Sequence, residues 1–297
     1  MLINTHALKT LGTAFKSAYQ GGLGQHVSQW NRVATKITST TRQNEYGWLG
    51  KFPSMRKWVG DRVVNQAAGH TYAIVNDDFE LTVSVQRNDI LDDNVGIYTP
   101  LFTEMGLSTA AHPDLEVFGL LKRSFDEKCY DGQPFFDTEH PVLDADGEPA
   151  LVSNSGGGSG TPWFLMDVSR ALKPLIFQER KEAEFVAKDD PDDESVFRRK
   201  EFEYGVDCRD AVGFGFWQMA YGSKQTLNAT NYASARAAMH GMKGDYGRPL
   251  GLRPTLLVVP PSLEGAALEI LNAERNAAGA TNVWRGTAEL LVVPWLA

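Results

Sequence analysis

The sequence predicts an α+β protein with two lobes and a projecting loop. At 297 residues, the chain exceeds the roughly 250 residues at which single hydrophobic cores tend to split. Strand patterns dominate 163–221, whereas helix and strand patterns alternate over 226–297, as in a compact α/β lobe. The stretch 41–60 is rich in aromatic residues but broken by Gly and Pro, which predicts a loop rather than a core element.

Composition and charge narrow the class of protein. The net charge of −8 and the pI of about 5.3 argue against a protein whose affinity comes from neutralising nucleic-acid phosphates. Acidity does suit a protein that lies near DNA without adhering to it. The two cysteines, Cys129 and Cys208, are weak evidence for a disulfide framework and favour a reducing compartment.

No targeting or membrane segment is predicted. The first residues lack the basic end and apolar run of a signal peptide, and no apolar segment approaches the roughly 18 residues of a membrane span. We therefore expect a soluble protein made in the cytoplasm, without a membrane partner.

The chain is expected to begin with an amphipathic arm. Helical spacing over 6–19 predicts a helix with Thr5 as its N-cap and Gly21 as its stop. Its apolar residues are Leu8, Leu11, Phe15 and Ala18. An extended segment over 33–46, in which Thr and Ile are common, leads into the aromatic loop.

The aromatic loop carries large apolar side chains that a projecting hairpin cannot bury by itself. They are Tyr46, Trp48, Leu49, Phe52, Met55, Trp58 and Val59. Exposed apolar patches of this kind mark protein interfaces. The loop is also locally basic, with Lys51, Arg56, Lys57 and Arg62 against Asp61.

Strand candidates at 71–75 and 79–86 follow the loop, and the second alternates strictly between apolar and polar residues. A long helix is then predicted over 97–125, kinked or divided at Pro113. Its expected buried residues are Ile97, Leu101, Ala111, Leu115, Phe118, Leu121 and Phe125.

The second half reads as a turn-rich loop over 129–141, a flexible glycine-rich connection over 153–160 and several strands over 163–221. The segment 163–220 is expected to pair with the strand at 79–86, because a two-stranded hairpin alone is too small to be stable. Helices are predicted over 226–242 and, with Ser262 as N-cap, over 262–275. Buried strands are predicted over 255–259 and 288–293.

Four patterns in the sequence are candidates for chemical sites. Asp131, Asp137, Glu139 and His140 suit a metal or acid–base cluster, but a hydrogen-bonded loop is favoured because no second His completes a ligand set. Cys208 beside Arg209 and Asp210 has no His near it in sequence, which favours a buried thiol over an activated one.

The acidic run 189–194 lacks the glycine and distal Glu of an EF-hand, which favours a solvated loop over a calcium site. Trp48 and Trp58 could stack on sugar rings, although packing against another protein is favoured. No nucleophile–base pair or metal-ligand set is complete, so no catalytic residue, cofactor or metal is expected.

Several strings of the sequence together resemble the major head proteins of Mu-like tailed bacteriophages, the gpT family. They are YGWLGKFPSMRKWVGDR (46–62), FELTVSVQRNDILDDNVGIYTPLF (79–102), YDGQPFFDTEHP (130–141), GFGFWQMA (213–220) and PTLLVVPPSLEGAALEIL (254–271). Because they span nearly the whole chain, the resemblance is more specific than a single motif.

The resemblance implies the Hong Kong 97 capsid fold. Its expected parts are an N-terminal arm (1–40), an extended β-hairpin loop (41–69), a peripheral domain with a long spine helix (70–150), a β-rich segment returning to the peripheral domain (151–225) and an axial domain (226–297).

The resemblance also implies a structural protein that self-assembles into pentamers and hexamers of an icosahedral head enclosing double-stranded DNA. Implied partners are other copies of the chain, scaffold, portal and decoration proteins, and packaged DNA without sequence preference. The location would be the virion, with assembly in the host cytoplasm. The residues expected at contacts between subunits are Trp48, Leu49, Phe52, Arg56, Lys57, Trp58 and Arg62.

Two other functions stay open from the sequence. One is a metal-assisted hydrolase using Asp131, Asp137 and His140, and the other is a carbohydrate-binding module using Trp48 and Trp58.

Overall fold

A computed structural model describes residues 3–47, 49, 72–276 and 278–297, except for the side chain of Ser195. Most of the predicted loop, 48 and 50–69, therefore lies outside the described residues. The α-helices of the described chain are α1 Thr5–Leu23, α2 Arg87–Leu91, α3 Thr99–Arg123, α4 Glu194–Arg199, α5 Ala229–His240 and α6 Glu264–Leu271. No helix within the described residues is both long enough and apolar enough to cross a bilayer.

The strands are β1 Ala34–Thr38, β2 Gln43–Glu45, β3 Ala73–Val75, β4 Asp77–Gln86, β5 His140–Leu143, β6 Pro149–Val152, β7 Ser155–Gly158, β8 Trp163–Met166, β9 Leu175–Lys188, β10 Glu201–Phe214, β11 Ala220–Lys224, β12 Lys243–Gly244, β13 Arg248–Pro249, β14 Leu256–Val259 and β15 Glu289–Val292. Some of the short strands predicted over 163–221 are thus parts of two long strands, β9 and β10.

The first sheet has the order β1-β9-β10-β4. β10 runs antiparallel to β4 from Glu201 opposite Gln86 to Asp210 opposite Asp77. The pairing expected between the later strand-rich segment and the strand at 79–86 is therefore present in β10. β9 extends the sheet on the other side of β10, and β1 pairs with β9 in parallel.

The second sheet has the order β15-β14-β8-β11-β7. Alternate residues of β8 enter two different core clusters, Phe164 and Met166 on one face and Trp163 and Leu165 on the other. Because both faces are covered, the strand is apolar throughout. β8 pairs with β14 on one side and with β11 on the other, and neither β8 nor β11 pairs with β4. The strand-rich segment therefore supplies both sheets.

The C-terminal elements are close to those predicted. The strands expected over 255–259 and 288–293 are confirmed as β14 and β15, which pair in parallel. α5 begins later than predicted, after Asn228, whose Oδ1 accepts a hydrogen bond from Asn231 N at 2.9 Å. Ser262 does not cap α6, because a 3₁₀ turn over Pro261–Leu263 precedes the helix.

α1 differs from its prediction at both ends. Its N-cap is Asn4, whose side chain accepts from Ala7 N, and the helix passes through Gly21 to Leu23. The reason lies in the contact with α3. A Cβ on Gly22 would lie 2.0 Å from the backbone oxygen of Thr103, and one on Gly106 would lie 2.0 Å from that of Tyr19. The two backbones touch where neither helix has a side chain, and this packing outweighs the low helix propensity of glycine.

α3 is continuous through Pro113, so the predicted division is wrong, while a kink at the proline stays a prediction. Contacts on both sides of the proline attach the helix to its neighbours. Asp114 is fully buried and accepts hydrogen bonds from the backbone N–H groups of Gln29 and Trp30, while His112 bonds to Asp210.

The predicted buried side of α3 is correct only in part. Phe118 and Leu121 are buried, whereas Ile97, Leu101 and Leu115 are exposed. The buried face instead contains Phe102, Met105, Gly106, Asp114, Val117, Phe118, Leu120 and Leu121. A pattern of apolar residues does not reveal this face, because it includes Gly106 and Asp114.

The contact between α1 and α3 predicts opposite effects for two glycine substitutions. Gly106→Ala should destabilise the subunit by about 1–3 kcal/mol, because its methyl group must displace a backbone oxygen. Gly21→Ala is the matched control, since a Cβ there meets nothing within 4 Å, and it should stabilise by up to about 1 kcal/mol through helix propensity. Urea unfolding of both variants measures the difference. Equal effects would show that the helices do not touch at Gly106.

Candidate functional site

The base of the predicted loop is a short antiparallel pair, β2 with β3, which a buried amide connects to the first sheet. The Tyr46 hydroxyl donates to Gln178 Oε1 at 2.7 Å. Gln178 Nε2 donates to the backbone oxygen of Ile74 at 3.1 Å and to Asn76 Oδ1 at 2.6 Å. One side chain of β9 thus contacts the chain both where it enters the loop and where it returns.

A second set of polar contacts extends this network on the side where the chain enters the loop. Asn76 Nδ2 donates to Ser39 Oγ at 3.0 Å and to the backbone oxygen of Thr41 at 2.9 Å. The Ser39 backbone N–H donates to Glu179 O at 2.8 Å. Ser39, Asn76 and Gln178 are all buried. Buried polar groups that are this fully paired specify one arrangement of the backbone.

Apolar packing also anchors the loop base. Tyr46 and Leu49 are 3% and 1% exposed and belong to the largest core cluster. Of the residues expected at subunit contacts, Leu49 is therefore packed in its own chain. The others, Trp48, Phe52, Arg56, Lys57, Trp58 and Arg62, lie outside the described residues.

The turn-rich loop before β5 brings Asp131 and His140 together with Cys129. His140 Nδ1 donates to Asp131 Oδ2 at 2.7 Å, and Cys129 Sγ donates to Asp131 Oδ1 at 3.1 Å. His140 is buried, and its ring stacks on Trp217 with centroids 3.9 Å apart.

Asp137 does not join this cluster. Its carboxylate accepts from the backbone N–H of Thr138, and its own N–H donates to Asn154 Oδ1 at 3.0 Å. Asn154 Oδ1 also faces His140 Nε2 at 3.2 Å. The imidazole nitrogens and the Asp131 carboxylate thus have partners within the loop, which matches the hydrogen-bonded loop favoured from the sequence.

The pKa values of Asp131 and Cys129 are shifted as expected for groups that are paired in a structural network. Burial alone would raise the pKa of Asp131, but hydrogen bonds from His140 and Cys129 outweigh it and leave the pKa below its ordinary value. Burial and the neighbouring Asp131 carboxylate raise the pKa of the Cys129 thiol. A thiol in this state is a poor nucleophile.

Sequence reasoning missed a second cluster at the contact of α3 with β10. His112 Nε2 lies 3.1 Å from both carboxylate oxygens of Asp210, and Cys208 lies beside them. Burial and the Asp210 carboxylate raise the pKa of Cys208 to about 12. The raised pKa does not favour an activated thiol, but Cys208 is only partly buried, and an imidazole distant in sequence lies near it.

The acidic run 189–194 lies at the tip of the hairpin formed by β9 and β10. Asp190 and Asp192 are exposed, and Glu194 pairs with Arg198 of α4 at 2.8 Å. Phe197, beside this pair, is 87% exposed. The tip is therefore a solvated charged surface with one uncovered aromatic ring.

Comparison with known proteins identifies the family. A family model described as the Mu-like prophage major head subunit gpT matches residues 8–296. The chain belongs to this family.

Relatives of known identity agree over the full length. The chain is 46% identical over 305 aligned residues to the major capsid protein of Escherichia phage Mu, with 100% of both chains covered. It is 44% identical to the Mu-like prophage FluMu major head subunit of Haemophilus influenzae, with 91% of this chain and 90% of the relative covered.

Solved structures confirm the fold. A chain of the procapsid of bacteriophage JBD30 matches with a TM-score of 0.86 and 46% identity, covering 99% of this chain and 100% of that one. A chain of the JBD30 capsid matches with a TM-score of 0.79 and 35% identity, with full coverage of both. The predicted α+β fold of the Hong Kong 97 capsid type is confirmed.

Membership of the gpT family also decides between the functions left open by the sequence. The chain is a major head protein, a structural component of the phage particle and not an enzyme. Neither the hydrolase based on Asp131, Asp137 and His140 nor the sugar-binding module finds support.

The hydrogen bonds of the buried Gln178 side chain predict that its truncation destabilises the subunit. Gln178→Ala removes one hydrogen-bond partner of the Tyr46 hydroxyl and the amide that bonds Asn76 Oδ1, and the loss of such buried hydrogen bonds costs about 1–3 kcal/mol. Gln43→Ala, on the exposed side of β2, should change stability by less than about 0.5 kcal/mol. Chemical unfolding of the two variants compares them. Similar small losses for both would mean that the amide does not anchor the loop base.

The depressed pKa of Asp131 predicts a pH-dependent effect of Asp131→Asn. A carboxyl group with a lowered folded-state pKa stabilises the fold above its ordinary pKa of about 4, and this contribution is lost as the pH falls through the lower folded-state value. The substitution should therefore destabilise the subunit more at pH 7 than near pH 3. Thermal unfolding at both pH values, with the exposed Asp126→Asn as control, measures it. A loss independent of pH would exclude a stabilising contribution from the ionised Asp131 carboxylate.

Proposed function

We propose that this chain assembles into pentamers and hexamers of an icosahedral head that encloses double-stranded DNA. The observation that carries the proposal is the full-length match to the JBD30 procapsid chain at a TM-score of 0.86. A shell-forming subunit contacts its neighbours through many parts of its surface. The likeness to the procapsid chain therefore matters because it covers 99% of this chain rather than one lobe.

Electron microscopy of the purified chain, expressed with and without its phage's other head proteins, tests this proposal. We expect closed shells or ring-shaped capsomers of five and six copies. A protein that stays monomeric in both preparations would contradict it.

The proposal extends to the organisation of the chain. The segment 1–40 acts as an arm, 41–69 as an extended loop, 70–150 as a peripheral domain with α3 as its spine, 151–225 as a returning β-rich segment and 226–297 as the axial domain. The long pairing of β10 with β4 supports the return of the β-rich segment. α5 and α6 pack in one core cluster with Trp163 and Leu165 of β8, which supports an axial domain that also takes strands from the segment 151–225.

The partners beyond other copies are part of the same proposal. The JBD30 capsid has been solved decorated with minor capsid protein trimers, which supports a decoration partner here. Scaffold and portal proteins would assist assembly in the host cytoplasm. The net charge of −8 suits a wall that contacts packaged DNA weakly and without sequence preference.

Within the shell, the loop 41–69 acts as a clamp that lies over a neighbouring subunit near its α3 and its acidic surfaces. The contact residues are Trp48, Phe52, Arg56, Lys57, Trp58 and Arg62, while Leu49 anchors the loop in its own subunit. Each buried aromatic side chain contributes about 1.5–3 kcal/mol, and the sum over a capsomer is large.

Charge sets the register of the clamp and contributes less energy. Lys51, Arg56, Lys57 and Arg62 are basic, and the run 189–194 on the neighbour is an exposed acidic partner. Exposed ion pairs are worth only about 0–1 kcal/mol each. Apolar packing therefore dominates the contact.

The clamp predicts different outcomes for two adjacent substitutions. Trp58→Ala should leave the circular dichroism of the free subunit unchanged but block shell assembly, because a central apolar contact is lost. Lys57→Ala should assemble with a modest defect that depends on salt concentration. Light scattering during assembly, with circular dichroism of the free subunits, measures both. The clamp is excluded if Trp58→Ala unfolds the free subunit or assembles normally.

A further inference from the structure

The face of β10 that packs against the helices changes from apolar to polar along its length. Phe202, Tyr204 and Val206 are buried in the second core cluster with side chains of α1 and α3. The next positions of that face are Cys208 and Asp210. The Asp210 residue is only 3% exposed, and a carboxylate buried this far is costly unless a cation or a metal ion compensates it.

The opposing residue on α3 is His112, and the three side chains converge. His112 Nε2 lies 3.1 Å from each oxygen of Asp210, and one ring nitrogen of His112, Cys208 Sγ and a carboxylate oxygen of Asp210 all lie within 4.8 Å of one another. Tetrahedral zinc, with bonds of about 2.0–2.3 Å, places its ligand atoms roughly 3.3–3.6 Å apart.

The scaffold around these side chains is rigid. His112 is in the middle of the longest described helix, and Cys208 and Asp210 are two residues apart on a strand paired on both sides. The pairing with β9 shifts register between Asp207 and Asp210, an irregularity of the kind that re-aims side chains at sites. The ring of Phe79 packs on the imidazole with centroids 4.4 Å apart.

There is also room for a further ligand. A cavity of about 140 Å³ adjoins the cluster, lined by His112 and Cys208 together with Phe79, Leu81, Ser108 and Val206. A cavity measured in this way needs about 10–15 Å³ to hold one water molecule, so a metal-bound water fits. The Cys129, Asp131 and His140 cluster differs, because both nitrogens of its imidazole already have partners in the loop.

We propose that His112, Cys208 and Asp210 bind one Zn²⁺ ion, with water as the fourth ligand. Thiolate, imidazole and carboxylate are the ligand types that zinc takes in proteins. On binding, the Cys208 thiol releases its proton to solvent, and His112 coordinates through the lone pair of Nε2 while Nδ1 keeps its proton. The ion would connect the middle of α3 to a central strand of the first sheet.

The ligand set can be tested directly on the full-length purified chain. Zinc alone is added, excess metal is removed by dialysis and bound zinc is measured by mass spectrometry. We expect one ion per chain in the wild type and none in Cys208→Ser or His112→Gln. His26→Gln is the matched control, because His26 forms a similar pair with Asp114 at 2.6 Å, and it should keep its zinc.

The absorption spectrum of bound Co²⁺ provides a second readout. A substitution that affected only the fold, and not a metal ligand, would leave the charge-transfer band unchanged. Co²⁺ bound to the wild type should give a thiolate-to-cobalt charge-transfer band that is absent in Cys208→Ser and retained in His26→Gln. Wild-type protein without stoichiometric metal would overturn the proposal, as would a cobalt band that persists in Cys208→Ser. If Cys208→Ser does not fold, loss of zinc from folded His112→Gln decides the question.

Discussion

The buried amide of Gln178 determines where the predicted loop leaves the core. It bonds to Tyr46 before the loop and to Ile74 and Asn76 after it. A long loop can reach a neighbour in a defined direction only if both of its ends are held. A base that is not anchored would let the rest of the loop adopt many orientations. Placing this anchor on β9 connects the loop to the same sheet that packs against α1 and α3.

The second constraint is the close approach of α1 and α3. Gly22 and Gly106 let the two backbones touch, and Asp114 then binds the chain just after α1 through the N–H groups of Gln29 and Trp30. The N-terminal segment is thereby attached to α3 at two levels. In a shell, a shift of α3 would therefore also move the arm.

Much of the architecture could be predicted from residue patterns alone. The alternation over 79–86 identified β4, and the apolar runs over 255–259 and 288–293 identified β14 and β15, because strand periodicity is a local property. The errors arose where distant contacts override local preference. Gly21 does not end α1 because the next glycine packs on α3, and Pro113 does not divide α3 because tertiary contacts hold both sides.

The sites were harder to predict than the fold for the same reason. Asp131 and His140 are nine residues apart and were recognised together. His112 and Asp210 are 98 residues apart, and nothing in the sequence pairs them. The two-residue spacing of Cys208 and Asp210, which places both side chains on one face of β10, is the signal that the sequence offers.

The central claim is that the loop base is anchored within its own subunit while the loop beyond it contacts a neighbour. Hydrogen exchange measured on free subunits and on assembled shells tests this most directly. The account predicts that amides of 39–46 and 72–76 are protected equally in both states, whereas protection over 50–71 rises on assembly. Unchanged exchange over 50–71, or a base protected only in shells, would contradict it.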